Sequence, residues 1–242
     1  MIRVLLARLR QGYRTMAFPA EELKLPHRAL GLPKVRPAGL ERAAAACPYG
    51  AISSSGLDLG RCVFCGACAK ADPAAVEFTR EYRLCASSRE GLTVSGAQHR
   101  RAETLGKELR SLFGRSFRLR QVSAGGCGAC EADCNVLGTP AWDMGRFGVQ
   151  FVASPRHADG LLITGPVTRN MELALRKTYA ALPSPRVVIA CGSCAVSGGP
   201  YAGHEECPGI PADIPVDLYI PGCPPHPLTI LDGLLRLIGR VE

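Results

Sequence analysis

The sequence predicts an α/β protein in which a parallel-sheet domain follows a small, cysteine-rich unit. Three observations predict it. Beyond residue 148, short apolar runs alternate with helical patterns, as in strands joined by crossover helices. The 12 cysteines fall into two groups separated by a cysteine-free stretch, residues 86–126. Hydrophobic residues make up 47% and charged residues 21% of the 242, enough to build a core and to exclude wholesale disorder.

The chain opens with Ile2, Leu5, Leu6 and Leu9 at helical spacing and Arg3, Arg8 and Arg10 elsewhere on the wheel. Such a basic amphipathic helix either lies on a membrane surface or packs on a partner subunit, and the second reading suits a multi-subunit complex. The opening lacks a long apolar stretch before a small-residue cleavage site, so Sec-type secretion is not expected. No run of 18 apolar residues is present, so no membrane-spanning helix is expected.

The first cysteine group reads CPYGAI and then RCVFCGACAKADPAAVEF. Cys62, Cys65 and Cys68 follow C-x2-C-x2-C, a spacing that turns three thiolates onto one face of an iron–sulfur cubane. In bacterial ferredoxin runs, x3-C-P follows, and that fourth cysteine serves the other cluster. Here the fourth position is Asp72, and the Cys-Pro pair lies upstream as Cys47-Pro48, so Cys47 completes the set. The same spacing counted back from Cys47 falls on Pro37, Leu40 and Ala43. With Asp72, all four ligands of a second cluster are missing, as in a two-cluster ferredoxin that has lost one site whole. CPYGAI and DPAAVEF are then pseudo-equivalent halves. A zinc ribbon would need two C-x2-C pairs, which this spacing does not supply.

In the second group, Gly148–Val152, Leu161–Thr164, Val187–Ile189 and Val216–Ile220 read as strands. TRNMELALRKTYAAL reads as a helix with Met171, Ala174, Leu175 and Leu182 along one stripe. PHPLTILDGLLRLIG begins at Pro and continues as a helix carrying Leu228, Leu231, Leu235 and Ile238. Ligands of open parallel sheets sit at the strands' carboxyl ends. Cys194 follows RVVIA, Cys223 follows VDLYI, and Cys127 and Cys130 lie in the Gly-rich GGCGAC, so four thiolates at strand ends predict a second [4Fe–4S] site.

Residues 1–110 resemble the ferredoxin-like subunit of formate hydrogenlyase and other energy-converting hydrogenases, most clearly in RCVFCGAC. GGCGACEAD, GRFGVQFVASPRHADGLLITGPVTRNM, ACGSCAVSGGPY and VDLYIPGCPP resemble the small subunit of membrane-bound, group 4 [NiFe] hydrogenases. They are similar, more distantly, to the cluster-bearing subunit of respiratory complex I nearest the quinone. The C-x2-C spacing favours the hydrogenase side, since the complex I subunit has adjacent cysteines.

The resemblance implies three parts: an amphipathic helix and extension over 1–30, a ferredoxin-like α+β domain with one [4Fe–4S] cluster over 31–110, and a flavodoxin-like domain with the proximal [4Fe–4S] cluster over 111–242. It implies Cys127, Cys130, Cys194 and Cys223 as proximal ligands. It places Arg146, Arg156 and His157 near that cluster, where positive charge would favour its reduced form; the alternative is that Arg156 and His157 only tie the loop to a neighbour. Glu131 either takes part in proton movement at the subunit interface or forms a surface salt bridge. Cys85, Cys134, Cys191 and Cys207 are left as non-ligands.

The sequence shows no nucleophile–base pair, no phosphate loop and no nickel-binding pair of C-x2-C motifs. The expected function is an electron-transfer subunit of a [NiFe] hydrogenase complex peripheral to the inner face of the cell membrane. Its expected partners are a nickel-bearing large subunit, membrane subunits, and a donor such as ferredoxin or formate dehydrogenase. The alternative is a complex I-like subunit whose partner lacks nickel and passes electrons to quinone or another acceptor. The formal charge of +8 is read as a match to an acidic partner or as buried ion pairs. With only 6% aromatics, no nucleic acid partner is expected.

Overall fold

The computed structural model describes residues 2–96 and 99–241. Its centre is a five-stranded, wholly parallel sheet of order β10-β9-β8-β6-β7. The strands are β6 (Phe117–Ser123), β7 (Val149–Phe151), β8 (Gly160–Thr164), β9 (Val187–Cys191) and β10 (Leu218–Ile220). Every residue of β8 and β9 is buried, the continuous apolar run of a strand covered on both faces.

The period-2 pleat divides these strands between two cores. Val122, Leu161, Ile163 and Val188 pack under α6 (Arg169–Ala181). Leu119, Leu162 and Ile189 pack under α5 (Ala129–Val136) and α8 (Pro227–Leu237). Each such aliphatic side chain contributes about 1.5–3 kcal/mol by leaving water. Helix α8 is buried along its whole length. It starts on Pro227, and the His226 Nδ1 accepts the Leu228 N–H at 3.1 Å.

Three details depart from the sequence-based expectation. The stripe of α6 is Met171, Leu175, Tyr179 and Leu182, while Ala174 is exposed. β10 begins at Leu218 because Asp217 turns its side chain inward, where the carboxylate accepts the Val188 N–H at 2.8 Å. β6 lies between β7 and β8 although Arg118, Arg120 and Gln121 interrupt its apolar pattern; its buried positions are Phe117, Leu119 and Val122.

The preceding part runs β1 (Pro33–Val35), α2 (Leu40–Ala45), β2 (Ile52–Ser53), β3 (Gly56–Asp58), α3 (Ala67–Ala71), β4 (Val76–Phe78). The outer strands β1 and β4 pair with each other, and so do the inner strands β2 and β3, all antiparallel. A short β5 (Thr93–Val94) extends the inner pair. This part has its own apolar core around Val35, Ala43, Leu57, Leu59, Leu92 and Val94. Ahead of it, α1 (Ile2–Gln11) leads into a strap pinned where the Met16 N–H donates to the Ala141 carbonyl at 2.9 Å. The edge of β10 is closed by Ala86, which exchanges backbone hydrogen bonds of 3.1 and 2.9 Å with Tyr219. Helix α4 (Lys107–Phe113) then leads into β6.

Candidate iron–sulfur sites

The first thiol group is built by two helix ends and one loop. Cys47 follows α2. Cys62 and Cys65 lie on the turn after β3, and Cys68 lies in α3. The turn curls tightly because Phe64 and Gly66 both adopt left-handed backbone, with φ of 55° and 74°. Two backbone N–H groups point at sulfur: Phe64 N to Cys62 Sγ at 3.3 Å, and Ala51 N to Cys47 Sγ at 3.4 Å. All four cysteines line one small enclosed cavity walled by Ala51, Ile52, Leu57 and Phe78.

Burial pushes the Cys62 thiol up to about 12, with the Phe64 N–H opposing and the charges of Cys68, Cys47 and Cys65 adding to the rise. Four mutually repelling thiolates in an apolar pocket call for a cationic centre. Among the described residues, no group of three or more His, Cys, Asp or Glu side chains is gathered closely enough for a single ion. A cubane takes one thiolate at each of four irons, so its ligands stand further apart. Four thiols around one small apolar cavity are a donor set that suits a [4Fe–4S] cluster.

The positions of the missing second site are filled. Leu40 and Ala43 are buried in the apolar core. Asp72 is buried too. Its Oδ1 accepts the N–H groups of Ala74 and Ala75 at 3.1 Å, and its Oδ2 lies 2.8 Å from the Arg42 guanidinium. Cys47-Pro48 after α2 and Asp72-Pro73 after α3 occupy corresponding places in the βαββαβ order.

The second thiol group gathers at the carboxyl ends of β6, β9 and β10. Cys127 sits on the glycine loop after β6, and Cys130 in the first turn of α5. Cys194 lies in α7 (Ser193–Ser197), and Cys223 on the turn after β10. Burial raises the Cys130 thiol, with charges from Glu131, Cys194, Cys134 and Cys223 adding. Burial, then Cys223 and Cys127, holds Cys194 at about 11. Glycines make room for sulfur: a Cβ on Gly192 would meet Cys130 Sγ at 2.5 Å, and one on Gly199 would meet Cys194 Sγ at 3.0 Å. Cys130 and Cys194 are half-buried, whereas Cys127 and Cys223 are exposed, so the group opens to the surface. The four thiols lie close enough to couple electrostatically, and four such donors suit a cubane.

Among the other residues singled out from sequence, Glu131 lies against the cysteine loop. Its carboxylate accepts the Thr164 hydroxyl at 2.6 Å and lies under Gly126 of the cysteine loop. Burial acts to raise its pKa, but hydrogen bonds from the Ser123 and Thr164 hydroxyls outweigh it and hold the group below the usual carboxylate range. Arg146 is committed elsewhere: its Nη2 donates to the Met16 and Phe18 carbonyls, each at 2.8 Å, and so fastens the strap. Arg156 and His157 are exposed on the single turn after β7. Cys134 and Cys191 are buried in the core beneath Cys130, where contact with Cys134 and then burial keeps the Cys191 thiol well above its ordinary value. Cys85 is also buried and donates to the Thr229 carbonyl at 3.4 Å. Cys207 lines a groove beside α7.

Sequence reasoning missed the serines of CGSCAVS, whose only signal was their place between cysteines. The Ser193 hydroxyl donates to the Cys62 carbonyl at 2.7 Å and also lies 3.1 Å from the Gly222 carbonyl. The Ser197 hydroxyl donates to the Gly60 carbonyl at 2.7 Å. These bonds tie the loop of the first thiol group to the helix of the second. Ser193 is 1% exposed, so Ser193→Ala strands a buried carbonyl. The expected loss is about 1–3 kcal/mol in denaturant unfolding. Unchanged stability would show that the hydroxyl does not join the two parts.

Residues 127–237, from the first to beyond the last cysteine of the second group, match the family model described as NADH ubiquinone oxidoreductase, 20 Kd subunit. The chain is 42% identical to the B subunit of the NADH-quinone oxidoreductase of Heliobacterium modesticaldum, over 48% of this chain and 68% of that one. It is 39% identical to the probable membrane-bound hydrogenase subunit mbhJ of Pyrococcus furiosus, over 61% of this chain and 89% of that one. A chain in the solved structure of the archaeal membrane-bound sulfane sulfur reductase is 34% identical, with a TM-score of 0.48 over 55% of this chain and 73% of that one.

Proposed function

This chain belongs to the NADH ubiquinone oxidoreductase 20 kDa subunit family, and from that premise we propose that it is the electron-transfer subunit of a membrane-associated [NiFe] hydrogenase complex. The observation that carries the reading is the convergence of Cys127, Cys130, Cys194 and Cys223 at the carboxyl ends of parallel strands, with the C-x2-C spacing of its first pair. Cys47, Cys62, Cys65 and Cys68 would hold the other cluster, in a ferredoxin-like domain over 31–110 preceded by the extension 1–30 and followed by the domain 111–242. When bound, two [4Fe–4S] clusters supply one-electron transfer at potentials the protein sets.

The protein's own part is to hold, tune and enclose. The N–H groups of Ala51 and Phe64 donate to sulfur and favour the more negative state of the first site. Apolar walls keep water from it. A groove of about 510 Å³ beside Cys65 is lined on its other side by Pro221, Gly222 and Pro224–His226, the turn that carries Cys223. At the second site, the exposed Cys127 and Cys223 present a face for the large subunit that would carry nickel. Glu131, hydrogen-bonded to the Thr164 hydroxyl beside that face, would take part in proton movement at the subunit interface. Arg156 and His157 would tie the neighbouring turn to a partner. Among the described residues, no helix is long and apolar enough to cross a membrane. We place the chain on the cytoplasmic face of the cell membrane, held by partner subunits and fed by a donor such as ferredoxin or formate dehydrogenase.

The second reading is a complex I-like subunit with a nickel-free partner, favoured by the 42% identity to a component of an NADH-quinone oxidoreductase. Metal analysis of the complex isolated anaerobically through this chain separates the two. The hydrogenase reading expects about eight irons from this chain and nickel in the large subunit. Iron without nickel, with the large partner present, overturns it in favour of the quinone-type reading.

A further inference from the structure

Helix α1 buries none of its residues. Ile2, Leu5, Leu6 and Leu9 are 73, 61, 48 and 81% exposed. At 3.6 residues per turn these four share one face, with Arg3 and Arg10 along one edge and Arg8 along the other. Arg14 follows, and no Asp or Glu precedes Glu21 in the sequence. Tyr13 stands at the end of the helix, 87% exposed, with the Arg8 guanidinium 3.6 Å above its ring.

The helix does not hang from a free tail. The Thr15 hydroxyl donates to the Pro140 carbonyl at 2.8 Å, the Met16 N–H bonds to Ala141, and Arg146 clamps the carbonyls of Met16 and Phe18. α1 therefore leaves the body from a fixed point.

The pattern selects its occupant. The apolar stripe holds interchangeable aliphatic side chains, with no shaped anchor for a pocket. Arginines border it on both edges, where long stems let the charge rise to a boundary plane. Its charge is uniformly positive. A flat surface that is apolar below and anionic above meets all three features at once. We propose that α1 lies in the surface of an anionic lipid bilayer, with Ile2, Leu5, Leu6 and Leu9 inserted and Arg3, Arg8 and Arg10 at the headgroups. This gives the chain a lipid contact of its own, beyond any made through partner subunits.

The test is flotation of the purified full-length chain with vesicles of phosphatidylcholine alone and of phosphatidylcholine mixed with phosphatidylglycerol. The chain is expected to float only with the mixed vesicles and to be released by salt. Each of Arg3→Gln, Arg8→Gln and Arg10→Gln is expected to weaken binding about fivefold. Leu5→Gln with Leu9→Gln is expected to abolish it, with far-UV circular dichroism and iron content unchanged. A folded chain that stays in solution overturns the proposal, as does equal flotation with both vesicle types or flotation indifferent to these substitutions. A complementary measurement is limited trypsin digestion of the intact complex in detergent without lipid. Cleavage at Arg8 or Arg10 supports the proposal, and protection assigns α1 to a protein partner instead. Iron and nickel in the same preparation report separately on the electron-transfer reading, so either can fail alone.

Discussion

Cys62→Ser is expected to halve the iron of the purified chain, from about eight atoms to about four, and to remove one of two cluster signals in the reduced protein. Cys62 is buried, with its sulfur held by the Phe64 N–H, and a serine hydroxyl there remains protonated and a poor ligand to iron. The second group's thiols stand on other elements, the loop after β6, α5, α7 and the turn after β10, and the two groups meet through the Ser193 and Ser197 hydroxyls rather than through a shared thiol. The surviving signal should therefore belong to Cys127, Cys130, Cys194 and Cys223. Iron analysis with electron paramagnetic resonance reads both halves, and survival of both signals would sink the ligand set. Because burial pushes the Cys62 thiol up to about 12, a thiol not bound to metal is protonated there at neutral pH. Loading the site then releases protons, and falling pH opposes it.

Arg236→Met is expected to destabilise the chain by about 3–5 kcal/mol at neutral pH, the scale for leaving a buried charge without its partner. Asp232 and Arg236 stand one turn apart in α8, 3% and 8% exposed, with 3.3 Å between Nη2 and Oδ1. Burial raises the Asp232 pKa above the usual carboxylate range, and Arg236 is the main opposing influence. The sign follows. A carboxyl whose folded pKa is raised favours the fold while protonated, and that contribution is lost as pH rises through the folded value. Without Arg236 the folded pKa climbs further. The penalty of the variant should then be greatest near neutrality and shrink as pH falls toward the ordinary carboxylate range. Asp232→Asn added to Arg236→Met should restore most of the loss. Urea unfolding at two pH values measures this, and a pH-independent loss would count against an uncompensated carboxylate.

Both outcomes bear on how function is housed here. The thiol groups hang on loops and short helices, where small shifts cost little, while α8 and the β8–β9 pair supply the rigid floor. Ser193 and Ser197 bring the first group against that floor. Oxidation of the buried Cys85, Cys134 and Cys191 is disfavoured by burial alone.

What the sequence determined by itself was local in origin. The C-x2-C-x2-C spacing selects three thiols that one turn brings together, because neighbours along a tight loop cannot separate. The unbroken apolar runs of β8 and β9 state their own burial on both faces, and the parallel sheet follows from the helices between them. β6 was hidden because Arg118 and Arg120 interrupt its pattern. The strand is held by backbone bonds to β7 and β8 that side-chain character does not report. Tertiary structure alone decided the long-range partners. Arg146 fastens the strap because two carbonyls at Met16 and Phe18, some 130 residues away, meet its guanidinium. Glu131 reaches Thr164 because strand order sets β6 and β8 side by side, and Ser193 reaches Cys62 because the preceding part packs against α7. Spacing encodes what lies within a turn, whereas contacts closed across many residues depend on which surfaces bury one another.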